Sequence, residues 1–345
     1  MMHEFDFAPE SMKRENEQIH YAKETSFVHD AMKRFFAMKS SVLGLVLIAI
    51  IVLLAIFAPM KAFTSHRYDV GYIEQQSLPP RVPGLEKIGI FDGKRKDSFP
   101  YDEVKVKDDD PEREDKLAHD KYFYFGTDTL GRDLWTRTWK GARVSLYMAL
   151  VAVVVDMVIG LSYGIISGYF GGKTDLIMQR IIEILNSIPN MIIVTLLVFV
   201  LSPGILSITL AIVIKGWIGM SRMARAQVLR LKEQEFILAS RTLGSGDFKI
   251  IMKEILPNIF GQVIIISMFS IPDAIFTESF LAFIGLGLRA PLASLGVLIS
   301  EGYKSFLVNP YMVLIPTTIL AILMLSFTVV ADGLRDAFDP KMKEV

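Results

Sequence analysis

A chain of 345 residues with 52% hydrophobic residues and a mean hydropathy of +0.40 has lipid as its main solvent. Its 37 basic and 37 acidic residues cancel, so no overall field exists to attract nucleic acid or an acidic substrate, and nucleic acid is excluded as a partner. The lack of cysteine rules out disulfides, thiolate metal sites and lipid attachment through sulfur.

A bilayer core of ~30 Å takes about 20 apolar residues to cross as a helix. Residues 1–39 are polar and mixed in charge, ending in Lys33, Arg34 and Lys39. Val42 to Ala58 then runs without a charge up to Pro59 and reads as the first span. A cleaved signal peptide fits poorly, because the polar lead is too long and no small-x-small site follows. Residues 60–140 are rich in charge, proline and glycine, with no stretch long enough to cross, and read as an extramembrane insertion. Its acidic run Asp108 to Asp110 lacks the ligand spacing of a calcium loop and reads as solvated chain. Apolar segments near 143–167, 188–202, 205–221, 258–285 and 310–331 follow. The expected fold is therefore an all-α integral membrane protein with six transmembrane helices and an outward-facing insertion after the first.

Lysine and arginine in the short loops set the orientation. Seven basic residues lie between Arg222 and Lys253, against Arg289 and Lys304 alone in 286–309. Both termini and the 222–257 loop are thus expected in the cytoplasm, with 60–140 and 286–309 outside. Gly160, Gly164 and Gly168 recur every fourth residue in the second span, a stripe that suits close helix approach, although glycine is also simply common in membrane helices.

The 222–257 loop reads as two short helices with a break. Phe236, Ala239, Ser240 and Leu243 fall on one face, Gly244 stands where a left-handed helix end is expected, and Asp247 is placed to cap the next helix. Two large apolar residues flanking two small ones suit a cleft on a partner protein.

This loop resembles the signature of permease subunits of bacterial ATP-binding-cassette importers: Glu-Ala-Ala, then Gly, then Ile-x-Leu-Pro. Ala239, Gly244, Leu256 and Pro257 match in register, whereas Leu238, Ser240 and Glu254 replace the Glu, the second Ala and the Ile. A broader resemblance, to the C-type permeases of oligopeptide and dipeptide importers, runs from the first span to the C-terminus. It is carried by Phe125-Gly-Thr-Asp-Thr-Leu-Gly-Arg-Asp-Leu134, Gly141-Ala-Arg-Val-Ser-Leu146, Ser187-Ile-Pro189, Glu278-Ser279 with Phe283-Ile-Gly-Leu-Gly287, and Asp332 to Pro340. The long outer segment favours the oligopeptide type. The resemblance implies a type I importer permease fold in a bacterial cell membrane. It implies a B-type permease, two ATPase subunits and an extracytoplasmic peptide-binding protein as partners, with ATP and Mg used by the ATPases alone. It also implies a coupling role for Glu235, Phe236, Ala239, Ser240, Arg241, Leu243 and Gly244, while Leu238, standing where the signature has Glu, leaves no carboxylate for an ion pair from that position. Related permeases carry dipeptides, nickel or sugars, so the cargo stays open.

Arg132 and Asp133, with Trp135 and Trp139, form either a contact for a delivering protein or an amphipathic helix with its indoles at the headgroups. Asp156, Lys215, Asp273 and Glu278 fall within apolar spans, where a central charge costs ~2.5–3.5 kcal/mol. Asp156 and Lys215 lie at comparable depth, which allows an ion pair, and Lys215 can alternatively snorkel inward. Asp273, Glu278 and Ser279 are the candidates for the translocation path. The five histidines show no metal-ligand spacing. Gly172-Lys173-Thr174 is no phosphate loop, because Ser167 stands where its first glycine belongs. The chain is therefore expected to conduct without catalysing and to hold no metal or cofactor. Two other classes stay open at this point: a proton-driven secondary transporter using Asp156, Asp273 or Glu278, and an intramembrane enzyme using Asp156 or Asp273.

Overall fold

The computed structural model describes residues 27–60, 75–85, 91–93 and 122–338. Asp108 to Asp110, most of the insertion, most of the N-terminal segment and the tail beyond Phe338 lie outside these residues. Among the described residues the structure is helical, with two isolated bridges, Arg81 with Asp92 and Thr127 with Asp133.

Helix α1 (Phe27–Ala37) turns at Met38 into α2 (Lys39–Phe57), the first span. Helix α3 (Leu134–Phe170) is followed by α4 (Gly172–Ser187) and α5 (Asn190–Leu201), which meet at a 77° bend. Helix α6 (Ile205–Leu231) leads through the short α7 (Glu235–Thr242) to α8 (Asp247–Leu286). Helix α9 (Leu295–Tyr303) and α10 (Tyr311–Phe338) complete the bundle. Five helices are long and apolar enough to cross a membrane, and the bent pair makes a sixth if it counts as one span.

The bend is where the sequence expectation needs revision. The apolar stretch at 188–202 forms a helix of only 12 residues, about 18 Å at 1.5 Å per residue and too short to cross alone. Pro189 supplies the break, since it lacks an N–H and disfavours helix at the residue before it. Ile188 accordingly is extended, with ψ 124°.

The glycine stripe of α3 is an interface within the chain. A methyl group built on Gly160, Gly164 or Gly168 would fall 2.6 Å from the Trp217 carbonyl oxygen, 2.3 Å from that of Ser221, or 2.9 Å from that of Arg225. The stripe therefore lets α6 lie backbone to backbone on α3. Among the described residues, two of the apolar clusters fill the two ends of the bundle. One surrounds Ile165, Tyr169, Val228, Ile237, Ile250 and Ile259 at the α6–α7–α8 end. The larger one, with Leu134, Trp139, Met148, Ile208, Ile275 and Leu295, fills the far end.

At the far end the insertion is knotted to the bundle by Gly126, Thr127 and Asp128. Gly126 has φ +76°, and a methyl there would meet the Leu78 carbonyl oxygen at 2.4 Å, so glycine is required. Thr127 Oγ1 accepts the Leu78 N–H at 2.8 Å and donates to the Gln75 carbonyl. The Tyr311 hydroxyl, at the start of α10, reaches the Leu78 and Thr127 carbonyls at 2.9 and 3.0 Å. Asp128 Oδ1 accepts the N–H groups of Leu130 and Arg132, each at 2.9 Å. Asp133 caps α3 by accepting the Thr136 N–H at 2.9 Å.

Arg132 and Asp133 are thus buried, at 4% and 3% exposure, and do not form an outer contact surface. Their chemistry is spent inside, on ion pairs and a helix cap. Trp139 is also buried; Trp135 packs edge-on against both Phe125 and Trp139, and the Trp139 and Phe125 rings are tilted by 39°.

Candidate functional site

Helix α7 is eight residues long, too short to be stable by itself. It is held by one buried side chain and a ring of polar ties. Ile237 is fully buried in the core with Tyr169, Val228 and Ile250. Tyr169, in the last turn of α3, is the hub: its hydroxyl donates to Asp247 Oδ1 at 2.7 Å, and the Arg241 guanidinium lies 5.1 Å over its ring. Ser240 Oγ donates to Glu254 Oε1 at 2.6 Å. Below the helix, Lys232 Nζ donates to the Gly168 carbonyl at 3.1 Å. Arg225 makes a bidentate pair with Asp175, both bonds 2.6 Å, and Asp175 also accepts from Ser167. The hairpin is thereby joined to α3, α4 and α8 together.

The opposite face of α7 is open. Phe236, Leu238 and Leu243 are 44%, 48% and 86% exposed, and Phe248 just beyond is 77% exposed. Glu235 and Ala239 are exposed with them, whereas Arg241, one turn from Ile237, lies on the Tyr169 side. Gly244 ends the helix at φ +82°, and the Ser245 N–H returns to the Ser240 carbonyl at 3.0 Å, the left-handed termination expected from the sequence. Two expectations need correction. Ser240 belongs to the inner side, because its hydroxyl is engaged by Glu254. Asp247 caps nothing; Gly246 holds the cap position, and the Asp247 carboxylate is taken by Tyr169. The anchors Ile237 and Tyr169 carried no motif. Phe248, within the short stretch before the next span, was legible only as an unexplained apolar residue.

The intramembrane charges are arranged otherwise than expected. Asp156 and Lys215 do not pair. Lys215 Nζ donates to the carbonyls of Ile188 and Asn186, at 2.6 and 3.4 Å, the groups freed at the α4–α5 bend. Asp156 is 4% exposed, with Ser270 and Asp273 near it and Gly216 packed against it. Depth matched, but the two side chains leave their helices in different directions. Glu278 is fully buried and accepts from Ser145 Oγ at 2.9 Å, with Ser294 beside it. Ser279 is buried under Gly296. These two therefore tie α8 to α3 and α9 and do not line an opening, whereas Asp273 is exposed. Among the described residues no cluster suits a metal ion.

Comparison with known proteins agrees with this architecture. Residues 160–344 match the family described as binding-protein-dependent transport system inner membrane component. Residues 26–80 match the N-terminal TM domain of oligopeptide transport permease C. The oligopeptide transport system permease protein OppC of Bacillus subtilis is 39% identical over 93% of this chain and 92% of its own length. The dipeptide transport system permease protein DppC of Lactococcus lactis is 42% identical over 92% of each chain, and that of Bacillus subtilis 46% identical over 64% of this chain. With a bundle of five or six spans, a hairpin seated at one end and matches over nearly its whole length, the chain belongs to the inner membrane components of binding-protein-dependent transport systems.

Proposed function

We propose that this chain is the C-type permease of an ATP-driven oligopeptide importer, building the translocation path with a B-type permease. Two ATPase subunits, which use ATP and Mg, drive it from the cytoplasmic side, and an extracytoplasmic peptide-binding protein delivers the cargo. The observation that carries this reading is the rigidly seated α7 with an unpartnered apolar face. A partner that pushes on Phe236, Leu238, Leu243 and Phe248 moves α3, α6 and α8 as one body, through Ile237, Tyr169 and the Arg225–Asp175 pair. Such coupled motion is what alternating access requires.

The hairpin lies in the cytoplasm on the basic-residue bias, and the end with α9 and Gly126 to Asp133 lies outside. Asp273, exposed in α8 with Asp156 behind it, lines the path. The oligopeptide relatives and the permease C domain match support the cargo class; the dipeptide relatives make dipeptides the second reading, which competition for uptake between peptides of different length separates. Phe236→Ala tests the coupling. In membranes holding all subunits it is expected to insert normally, lose peptide uptake and lose the stimulation of ATP hydrolysis by loaded binding protein. Wild-type uptake in that variant would reject the docking role.

A further inference from the structure

Between the start of α3 and the short α9 lies a buried ion network that the coupling hairpin does not involve. Asp128 Oδ2 accepts from Arg132 at 2.7 Å and from Arg137 at 2.5 Å. The same two arginines reach across the fold to Glu301 Oε2 of α9, at 3.2 and 2.8 Å. The side chains of Arg137, Arg132 and Asp128 are 0%, 5% and 8% exposed, but that of Glu301 is 35% exposed. The glutamate is thus the one member that reaches water, while the arginines and Asp128 stay fixed beside their helix cap; its release would leave two buried guanidinium groups sharing the Asp128 carboxylate. Arg137 Nε and Nη2 are buried and take no partner among the described residues, so the network is not saturated even with Glu301 in place.

Helix α9 is packed closely on α8 and α10, since a methyl on Gly296 or Gly302 would fall 2.4 Å from Ser279 Cα or 2.6 Å from the Met312 carbonyl oxygen, and its polar hold on α3 is mainly the ion network. It is wedged among the ends of α3, α8 and α10, where its other contact with α3 is close but weakly polar. A methyl on Gly141 would fall 2.9 Å from the Ser294 backbone, and the Leu295 N–H reaches Ser145 Oγ at only 3.4 Å. The connection from α8 into α9 carries a π-helical turn, Ala282–Leu286. Within it Gly285 has φ +91° and open space around it, a combination that lets backbone angles change freely.

We propose that Glu301 is a releasable latch, a positioning residue that locks α9 to the start of α3 through Arg132 and Arg137, with Gly285 as the pivot. Closing the latch seals the far end of the bundle, and opening it lets α9 swing away when that end admits cargo. The inference rests on the importer reading for its role in transport, but the latch itself is measurable without it.

The chain contains no cysteine, so a single reporter thiol suffices. Val297→Cys places it on the buried side of α9, at a position 6% exposed, with little change of volume. In membranes containing the whole transporter, an impermeant maleimide added from the far side is expected to label this thiol about tenfold faster or more after Glu301→Gln. Glu301→Asp, which keeps the charge, should label at a rate nearer the unmodified chain. Arg132→Gln approaches the pair from the other side and should match Glu301→Gln, which keeps the idea testable if one variant fails to reach the membrane. Unchanged labelling in either charge-removing variant that reaches the membrane would overturn the latch. A second readout separates it from a merely structural contact: Glu301→Gln should raise ATP hydrolysis in the absence of peptide, whereas a packing defect lowers hydrolysis with and without peptide. Faster labelling with unchanged hydrolysis would keep the latch and count against the importer coupling. Loss of both hydrolysis rates together with unchanged labelling would reject the latch.

Discussion

Gly164 shows how a single hydrogen in place of a side chain fixes the position of a whole helix. Its neighbours across the interface are backbone atoms and Ala224, which cannot rotate out of the way. Gly164→Val is expected to cost about 1–3 kcal/mol through forced separation of α3 and α6, read as a lower thermal unfolding midpoint in detergent. Phe236 and Ile237, adjacent in sequence, give a sharper contrast. Ile237 is fully buried and Phe236 is 44% exposed, so Ile237→Ala should cost ~2–5 kcal/mol and Phe236→Ala within about 0.5 kcal/mol. The first should therefore lower the unfolding midpoint, and the second should leave it unchanged while stopping uptake. At this scale the sequence was partly legible. Helical spacing singled out Phe236, Leu243 and Gly244, because surface periodicity is local information. It did not single out Ile237 or Tyr169, because their importance lies in contacts across 70 or so residues of chain, which no local pattern encodes.

Among the elements, the α4–α5 bend and the capped start of α3 depart most from a simple row of spans. Pro189 breaks the helix and leaves carbonyls without intrahelical partners inside an apolar region, and Lys215 supplies the donors. Lys215→Met should leave those carbonyls unsatisfied and cost ~1–3 kcal/mol. A spectroscopic distance between labels near the two ends of the α4–α5 pair should also broaden. A distribution identical to that of the unaltered chain would argue that Pro189 alone maintains the bend. The sequence marked Lys215 as an anomaly, since a lysine in an apolar stretch needs an explanation. Its partner was a backbone carbonyl on a helix that hydropathy had not separated from its neighbour. The same limit applies to Arg132 and Asp133: the Gly-Thr-Asp and Gly-Arg-Asp turns were visible as motifs, but whether they face water or each other depends on the returning insertion and on Glu301, 169 residues away from Arg132.

Taken as a whole, the molecule is a bundle with a hard-wired handle at one end and a latched short helix at the other. The apolar segments near 143–167, 205–221, 258–285 and 310–331 fall within or almost wholly within α3, α6, α8 and α10, because apolar content over consecutive residues is an additive property. Hydropathy placed their ends poorly, since α3 and α8, at 37 and 40 residues, run well beyond the length a bilayer needs. Their excess spans the two ends: α3 runs from its Asp133 cap, next to Arg132, to Tyr169, and α8 runs from Asp247 to Gly285. Communication in such a bundle is expected to follow rigid helices, with the bends confined to the π-helical turns.

A nucleotide-hydrolysing partner that grips the open face of α7 would cover Leu243, which is 86% exposed, so a single thiol at Leu243→Cys reads its presence. In inverted membrane vesicles this thiol should react quickly with an impermeant maleimide when the chain is expressed without ATPase subunits, and be protected when they are present. Equal reaction with and without the ATPase subunits, or reaction only from the outside of intact cells, would contradict the account.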